Sequence, residues 1–489
     1  MSPTLIAIMS IVVPVLIGVA AFAWQKDATR PYLVVVAAAA HLVATGWALA
    51  QPMATDTSGQ WLGLDPPGRV VLGLVSLLFA VCSVYAVGYL RARADRPNRI
   101  FCASLLLFVG MMTFITWTNH LALMWVAVEA TTLASAPLLY FNRNARSLEA
   151  TWKYLMVGSV GIALALMGSL FLGYAATNAA GDGSEPSLLF DDLVRGAGGF
   201  AKPWLHAGFV LLTVGYGTKM GLAPMHTWKP DAYGEAPGLV GSLLAGGLTS
   251  CAFLALLRVY RVMAAAGEAP FAGRILVILG LLSMAVAGVF VVRQRDFKRM
   301  LAYSSVEHMG ILALGLGLGG VGIFGALLHM VNNGIVKCVM FLSAGNIHRL
   351  YGSKRTDEVS GAIRAAPWSA SLFLVAFIAV TGSPPFGPFV SEFTILNAAF
   401  LQHRFLVAGA MLLFLLVVFM GMGTTVLAVV QGVPSARYKP TGIRENLLTV
   451  APPALMLATS VVMGLFIPRH VRDLIAEAAR FVGGAGGTP

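Results

Sequence analysis

Lys219 follows an apolar run from Trp204 to Thr218, and Met220, Leu222, Ala223 and Met225 keep the segment apolar beyond it. A lysine inside a membrane-crossing helix costs roughly 2.5 to 3.5 kcal/mol on insertion scales, so it is tolerated only where it faces protein, water or a counter-ion. Pro224 comes shortly after it. A proline removes a backbone N–H and disfavours the preceding turn, which predicts a break or kink beside the charge. An ionisable group at a broken helix is a common build for an ion site inside a membrane. The alternative, a lysine snorkelling from a helix end, is disfavoured because apolar residues continue on both sides.

Other ionisable residues interrupt apolar stretches in the same way: Glu129, Glu307, His308, His329, Lys337 and Glu392. Buried acids and bases in series are what proton transfer through a bundle requires, because each group can change protonation as its neighbour changes charge. His329, Asn333 and Lys337 recur at helical spacing and are predicted to share one face. A polar stripe on an apolar helix must turn inward. Glu307 and His308 are adjacent and are not expected to share a face, which places one of them at the cytoplasmic end with Lys298 and Arg299. Glu392 restarts apolar sequence after the Gly- and Pro-rich stretch from Gly382 to Pro388. The competing reading of all these groups is paired structural polarity that locks the bundle. Cys82, Cys102, Cys251 and Cys338 stand singly in apolar runs without Cys-x-x-Cys spacing. They read as core residues and predict neither a metal site nor a cofactor.

The elements that must carry these residues follow from composition. Over 489 residues, 58% are hydrophobic and 11% charged, far below the roughly 25% charged of a soluble domain. The chain is therefore predicted to be an all-α polytopic membrane protein of about fourteen transmembrane helices. A net charge of +12 does not imply nucleic acid, since no basic domain is present to bind it. The N-terminus lacks the charged start and small-residue cleavage site of a signal peptide, so the first segment is expected to be retained.

Most Lys and Arg fall in the loops after odd-numbered spans, among them Arg91 to Arg99, Lys229, Arg293 to Arg299 and Arg349 to Arg364, with Lys153, Lys219 and Lys337 assigned to the membrane. By the positive-inside rule those loops are cytoplasmic and both termini lie outside the cell's inner membrane. The loop over 178–203 reads as a solvated connection, and 469–482 as a short amphipathic helix at the outer surface before a Gly-rich tail. Spans seven and twelve both carry a proline break beside an ionisable residue. They lie an odd number of spans apart, which predicts two inverted repeats of about five helices each. The expected division is 1–98 as an N-terminal three-helix segment, 99–263 and 272–431 as the repeats, and 432–489 as the last helix and tail.

At these residues the chain resembles a known family. Glu129, Lys219, the run Pro224-x-His226-x-Trp228-x-Pro230-Asp231-Ala232, the entry Lys298 to Ser305 and Glu392 resemble the antiporter-like proton-pumping subunits of respiratory complex I, Mrp-type antiporters and group 4 nickel–iron hydrogenases. The stretches from Thr118 to Thr132 and Ser147 to Tyr154 look most like the hydrogenase-4 component F type. The resemblance implies that Glu129 and Lys219 form the ion pair of the first half-channel. It further implies that His329 and Lys337 continue a central axis and that Glu392 is its terminal acid, with His226 also among the proton-translocating residues and His308 as a polar relay beside them. Two departures stand out. Ser250 aligns where many relatives carry a lysine or histidine, and Asn333 where some carry a second histidine. Either can hold water, but neither titrates near neutral pH.

The resemblance implies a non-catalytic subunit without a redox site of its own, moving protons in the bilayer beside other membrane subunits and soluble redox subunits on the cytoplasmic side. The alternatives are a structural membrane anchor, a cation/proton antiporter or an inorganic-carbon uptake subunit.

Overall fold

A computed structural model describes residues 3–51, 60–180, 187–434 and 444–484. Asp182 and Glu185 of the 178–203 stretch, Arg437 and Lys439, and the tail from 485 onward lie outside the described residues. The chain runs through α1 (Pro3–Ala23), α2 (Arg30–Ala50), α3 (Pro66–Arg91), α4 (Arg99–Trp117), α5 (Leu121–Leu139) and α6 (Ala145–Ala180). A short α7 (Phe190–Gly196) precedes α8 (Lys202–Met220), α9 (Trp228–Glu235), α10 (Gly238–Ser242) and α11 (Thr249–Ala265). Then come α12 (Ala269–Val291), α13 (Phe297–Leu318), α14 (Val321–Tyr351), α15 (Ala362–Ala365) and α16 (Pro367–Val380). The chain closes with α17 (Gly387–Leu401), α18 (Phe405–Val430), α19 (Leu447–Leu465) and α20 (Arg469–Gly483). Among the described residues, twelve helical segments are long and apolar enough to cross a membrane. Neither α8 nor the α16 and α17 pair is among them.

Both expected interruptions are present. Helix α8 stops at Met220 on Gly221, whose φ of 81° suits a residue without Cβ. The chain resumes helix only at Trp228, whose indole donates to the freed Thr218 carbonyl at 2.9 Å. Helix α16 ends at Val380 and α17 restarts at Gly387, where Asn332 of α14 donates to the Gly387 carbonyl at 2.8 Å. At the first break a polar side chain thus satisfies a backbone carbonyl near the helix end, where water is scarce, and at the second a side chain of α14 anchors the start of α17. A further irregularity lies between α10 and α11, where residues Leu243–Leu248 form a π-helical turn.

The bundle is centred on α13 and α14. Helix α13 is buried throughout its apolar stretch, and α14 packs against α3, α13, α16, α17, α19 and α20. Close backbone approach holds α12 on α13, since a Cβ at Gly280 would lie 2.7 Å from the Gly310 carbonyl oxygen and one at Gly317 2.8 Å from that of Gly273. Small residues at such crossings let helices gain dispersion contact that lipid cannot supply.

Several sequence expectations change. Lys229 and Lys298 do not lie in solvated loops; they are 0% and 1% exposed. Lys153, assigned to the membrane interior, is instead exposed and pairs with Glu149 at 2.6 Å and Asp231 at 2.9 Å. Glu307 and His308 are both buried, because α13 has protein on every side and adjacent residues can each meet a neighbouring helix. The described end of the 178–203 stretch is packed and not a solvated connection: Phe190 and Leu193 of α7 are buried, and Asp191 pairs with Arg261 at 3.1 Å. Helix α20 turns its apolar residues Ile475, Ala478 and Val482 into α3, α11 and α14 instead of leaving them at the surface.

The α12 and α13 crossing gives a direct check. Gly280→Ala is expected to push the helices apart and lower the thermal midpoint of the purified protein. Gly409→Ala, where an added Cβ meets nothing within 4 Å, should leave it unchanged.

Candidate functional site

The first cluster forms where α5, α6 and the end of α8 meet. Lys219, 2% exposed, donates from Nζ to Thr132 Oγ1 at 2.5 Å and to the Tyr154 hydroxyl at 3.1 Å. The Thr132 hydroxyl in turn donates to Glu129 Oε2 at 3.0 Å, and Ser159 donates to Oε1 at 3.4 Å. Glu129 and Lys219 are therefore joined through one threonine hydroxyl and not by direct contact. Tyr154 is held on its other side by Ser135 at 2.7 Å, and Lys219 also lies 4.9 Å from the Tyr154 ring centroid. Because Lys219 ends α8, the negative end of the helix dipole further favours its charge. Glu129 is only half-buried, on a helix that also exposes Val126 and Leu133.

A second cluster lies between α13, α14 and α17. His308 Nδ1 and His329 Nε2 are 2.9 Å apart, and His329 Nδ1 is 3.0 Å from Ser391 Oγ. Glu392 follows Ser391 on α17; it is 6% exposed, and its Oε1 finds no protein partner. Lys337, wholly buried, donates to Ser304 Oγ at 2.6 Å. Glu307 lies within electrostatic reach of Lys337 and Glu392. Nitrogen and oxygen atoms of His308, His329 and Glu392 come within 4.8 Å of one another. This is the donor set among the described residues that could hold a metal ion, although the two imidazoles also satisfy each other directly.

Lys229 of α9 stands between these clusters. Its Nζ lies 3.3 Å from Ser305 Oγ and 3.4 Å from the Ser305 carbonyl. Its ammonium also lies 5.6 Å from the Tyr233 ring centroid. None of Lys219, Lys229 and Lys337 makes an ion pair with a described residue.

The remaining expected residues are less engaged. Ser250 donates back to the Gly246 carbonyl of its own helix at 2.6 Å. Asn333 is buried with its Oδ1 unpartnered, whereas its neighbour Asn332 makes the contact to α17. His226, in the segment between α8 and α9, is 8% exposed with Nδ1 unpartnered and joins neither cluster by a hydrogen bond. Hydropathy does not single out the hydroxyl partners Thr132, Tyr154, Ser304, Ser305 and Ser391. The usable signal was their helical spacing, Thr132 lying one turn after Glu129 and Ser304 one turn before His308.

A cavity of about 910 Å³ opens at the end of the bundle where α9 meets α13 and α14. Its lining includes Arg93, Arg96, Glu235, Asp296, Arg299 and Lys354. Lys354 pairs with Glu235 at 2.6 Å and Asp296 at 3.3 Å. Behind this wall Lys298 donates to the Ala236 carbonyl at 2.5 Å.

A family model described as the transmembrane part of NADH:quinone oxidoreductase and Mrp antiporters matches residues 118–421. The chain belongs to this family. The hydrogenase-4 component F homolog of Methylacidiphilum infernorum is 36% identical over 298 residues, 61% of this chain and 62% of that relative, so the match spans less than two thirds of the relative's length. NADH-quinone oxidoreductase subunit N of Desulforudis audaxviator is 30% identical over 418 residues, 83% of this chain and 80% of that one. A chain of the Mrp complex from Dietzia superposes with a TM-score of 0.85 at 20% identity, covering 98% of this chain and 97% of that one, a likeness of fold alone. A chain of respiratory complex I from Thermus thermophilus gives 0.74 at 26% identity, covering 94% and 99%. The residues matched by the family model include the stretch that carries both clusters.

The bridging hydroxyl yields a clean test. A hydrogen bond to a charged group is worth about 1.5–3 kcal/mol, and Thr132 makes two. Thr132→Val, equal in shape but without the hydroxyl, is expected to lower the thermal midpoint clearly, while Thr132→Ser should restore most of it.

Proposed function

We propose that this chain is a proton-translocating membrane subunit of an energy-converting hydrogenase-like or complex I-like assembly, and holds no redox centre of its own. The observation that carries the reading is the series of buried acids and bases at the two helix breaks, joined through hydroxyls. Glu129, Thr132 and Lys219 meet at one break, and His308, His329, Ser391 and Glu392 at the other. Lys337 links them along α14, with His226, Ser250 and Asn333 as polar neighbours of the path.

The chemistry follows from that placement. Lys219 keeps its proton while the Glu129 carboxylate, acting through Thr132, stabilises the ammonium. Glu129 is half-buried beside exposed Val126 and Leu133, where a neighbouring subunit can change the field around it. Withdrawal of that carboxylate leaves a buried ammonium poorly compensated, and the proton passes toward Lys337 and on to the His308, His329 and Glu392 group. The basic cavity is the cytoplasmic mouth of this reading, and Glu392 the terminal site.

In the same reading the chain crosses the inner membrane about fourteen times, counting the interrupted spans, and the stretches 99–263 and 272–431 are the inverted repeats. Both termini then lie outside. Relatives named as components of hydrogenase-4 and of NADH-quinone oxidoreductase support the choice of partners, namely other membrane subunits and soluble redox subunits on the cytoplasmic face.

Two experiments test the proposal. In the native assembly reconstituted into vesicles, Lys219→Arg is expected to assemble but lose proton translocation, because a guanidinium does not deprotonate in the working range. Glu392→Gln should do the same. Wild-type pumping by Lys219→Arg refutes the deprotonation step, and flux that follows sodium instead of pH favours cation exchange. Asp473→Cys, on the exposed side of α20, should be labelled only from the outer face; labelling from the cytoplasm reverses the orientation.

A further inference from the structure

We infer that Lys229 is the middle proton carrier of this subunit, taking the position left without a titratable group at Ser250; this rests on the proton-translocation reading above. The sequence offers no base at the aligned position of the eighth span, and the Ser250 hydroxyl is turned back onto the Gly246 carbonyl. Lys219 and Lys337 sit in separate hydroxyl clusters, and a side-chain path between them needs a further group that can hold and release a proton.

The placement of Lys229 meets that need. Its side chain runs alongside Gly221, two residues past Lys219, close enough that a Cβ there would lie 3.0 Å from Nζ. The glycine thus leaves the channel the lysine occupies. The preceding residue, Trp228, packs its ring 5.1 Å from that of Tyr154, the phenol that accepts from Lys219. At its far end Lys229 reaches Ser305, while Lys337 donates to the adjacent Ser304. Two lysines thus meet consecutive serines of α13.

The energetics argue against a structural purpose. Lys229 is 0% exposed, makes no ion pair with a described residue, and has hydrogen bonds of only 3.3 and 3.4 Å. An unpaired buried ammonium is a cost to the fold, and an apolar residue of similar volume is commonly neutral or stabilising in such a place. Lys337 of α14 and His308 of α13 lie within its electrostatic reach, and the Tyr233 ring of its own helix lies beside it. Two ammonium ions so placed repel each other at low dielectric. A proton arriving on one favours departure from the other, which is the behaviour a relay requires. Each step breaks one N–H bond and forms another, with hydroxyls as intermediaries, and no electrons move.

The test compares Lys229→Leu, Lys229→Arg and Lys229→His with Lys219→Arg in the reconstituted native assembly, reading thermal midpoint, assembly and redox-driven proton flux. Lys229→Leu is expected to assemble with an unchanged or raised midpoint while flux falls at least about tenfold. Lys229→Arg should lose flux likewise. Lys229→His should retain part of it, with the pH profile displaced toward acid, because imidazole gives up its proton at lower pH than an amine. Wild-type flux in Lys229→Leu or Lys229→Arg overturns the inference, as does a Lys229→Leu variant that fails to assemble, which would mark a structural lysine. If Lys219→Arg pumps normally too, the function reading fails; if only the Lys229 variants do, that reading stands and this inference alone falls.

Discussion

An ammonium ion inside an apolar bundle must be met by oxygen atoms, and the architecture around Lys219, Lys229 and Lys337 answers to that requirement. None of the three is paired with a carboxylate in direct contact among the described residues. Each is met instead by a hydroxyl, from Thr132 and Tyr154, from Ser305, and from Ser304 respectively. Hydroxyls stabilise a charge without neutralising it, so the ion remains only marginally favourable. A direct salt bridge would hold the same charge more firmly and would make its proton harder to move. Firm compensation and easy proton release are thus opposed for any buried ammonium, and the hydroxyl contacts of these three are intermediate between the two.

The broken helices follow from the same constraint. A continuous α8 would run its backbone groups past Lys219 fully satisfied and would keep α9 from folding back. The stop at Gly221 lets α9 bring Trp228 and Lys229 inward, with the Trp228 indole closing the exposed carbonyl of Thr218. At the second break, α17 starts where Asn332 can reach it, and this start aims Ser391 and Glu392 at the histidine pair. In both places the helix ends beside the irregularity are packed in protein, while the prolines themselves, Pro224, Pro384 and Pro385, are exposed.

Around this axis the bulk of the molecule acts as insulation and frame. Glycine contacts bring α12 tightly onto α13. The buried Arg258, clamped at 2.9 and 3.0 Å to Asp65 and bonded to the Ile115 and Thr116 carbonyls, ties α11 to α3 and α4. Arg258 contrasts with the lysines in having a bidentate partner and a geometry that leaves no proton to give. The chain uses guanidinium where a charge is to stay and ammonium where one could move.

The sequence alone determined the membrane class, the proline breaks near Pro224 and Pro384, and the charges of Lys219, Glu129, Lys337, His329 and Glu392 as inward-facing groups. Those features follow from local chemistry: a long apolar run excludes charge, proline excludes a helical hydrogen bond, and helical spacing places residues on a face. Tertiary structure alone decided how the charges are joined. Hydropathy put Lys229 in a loop because it lies near Asp231 and Glu235, and no periodicity within the eight residues of α9 tells which of them turns inward. Adjacent Glu307 and His308 could both be buried only because α13 is surrounded, a property of its neighbours and not of its own residues. The same holds for Thr132, whose hydroxyl is an ordinary helix residue until α8 places Lys219 against it. A group's role in a relay depends on atoms from helices far apart in sequence, and one-dimensional spacing carries no record of those distances.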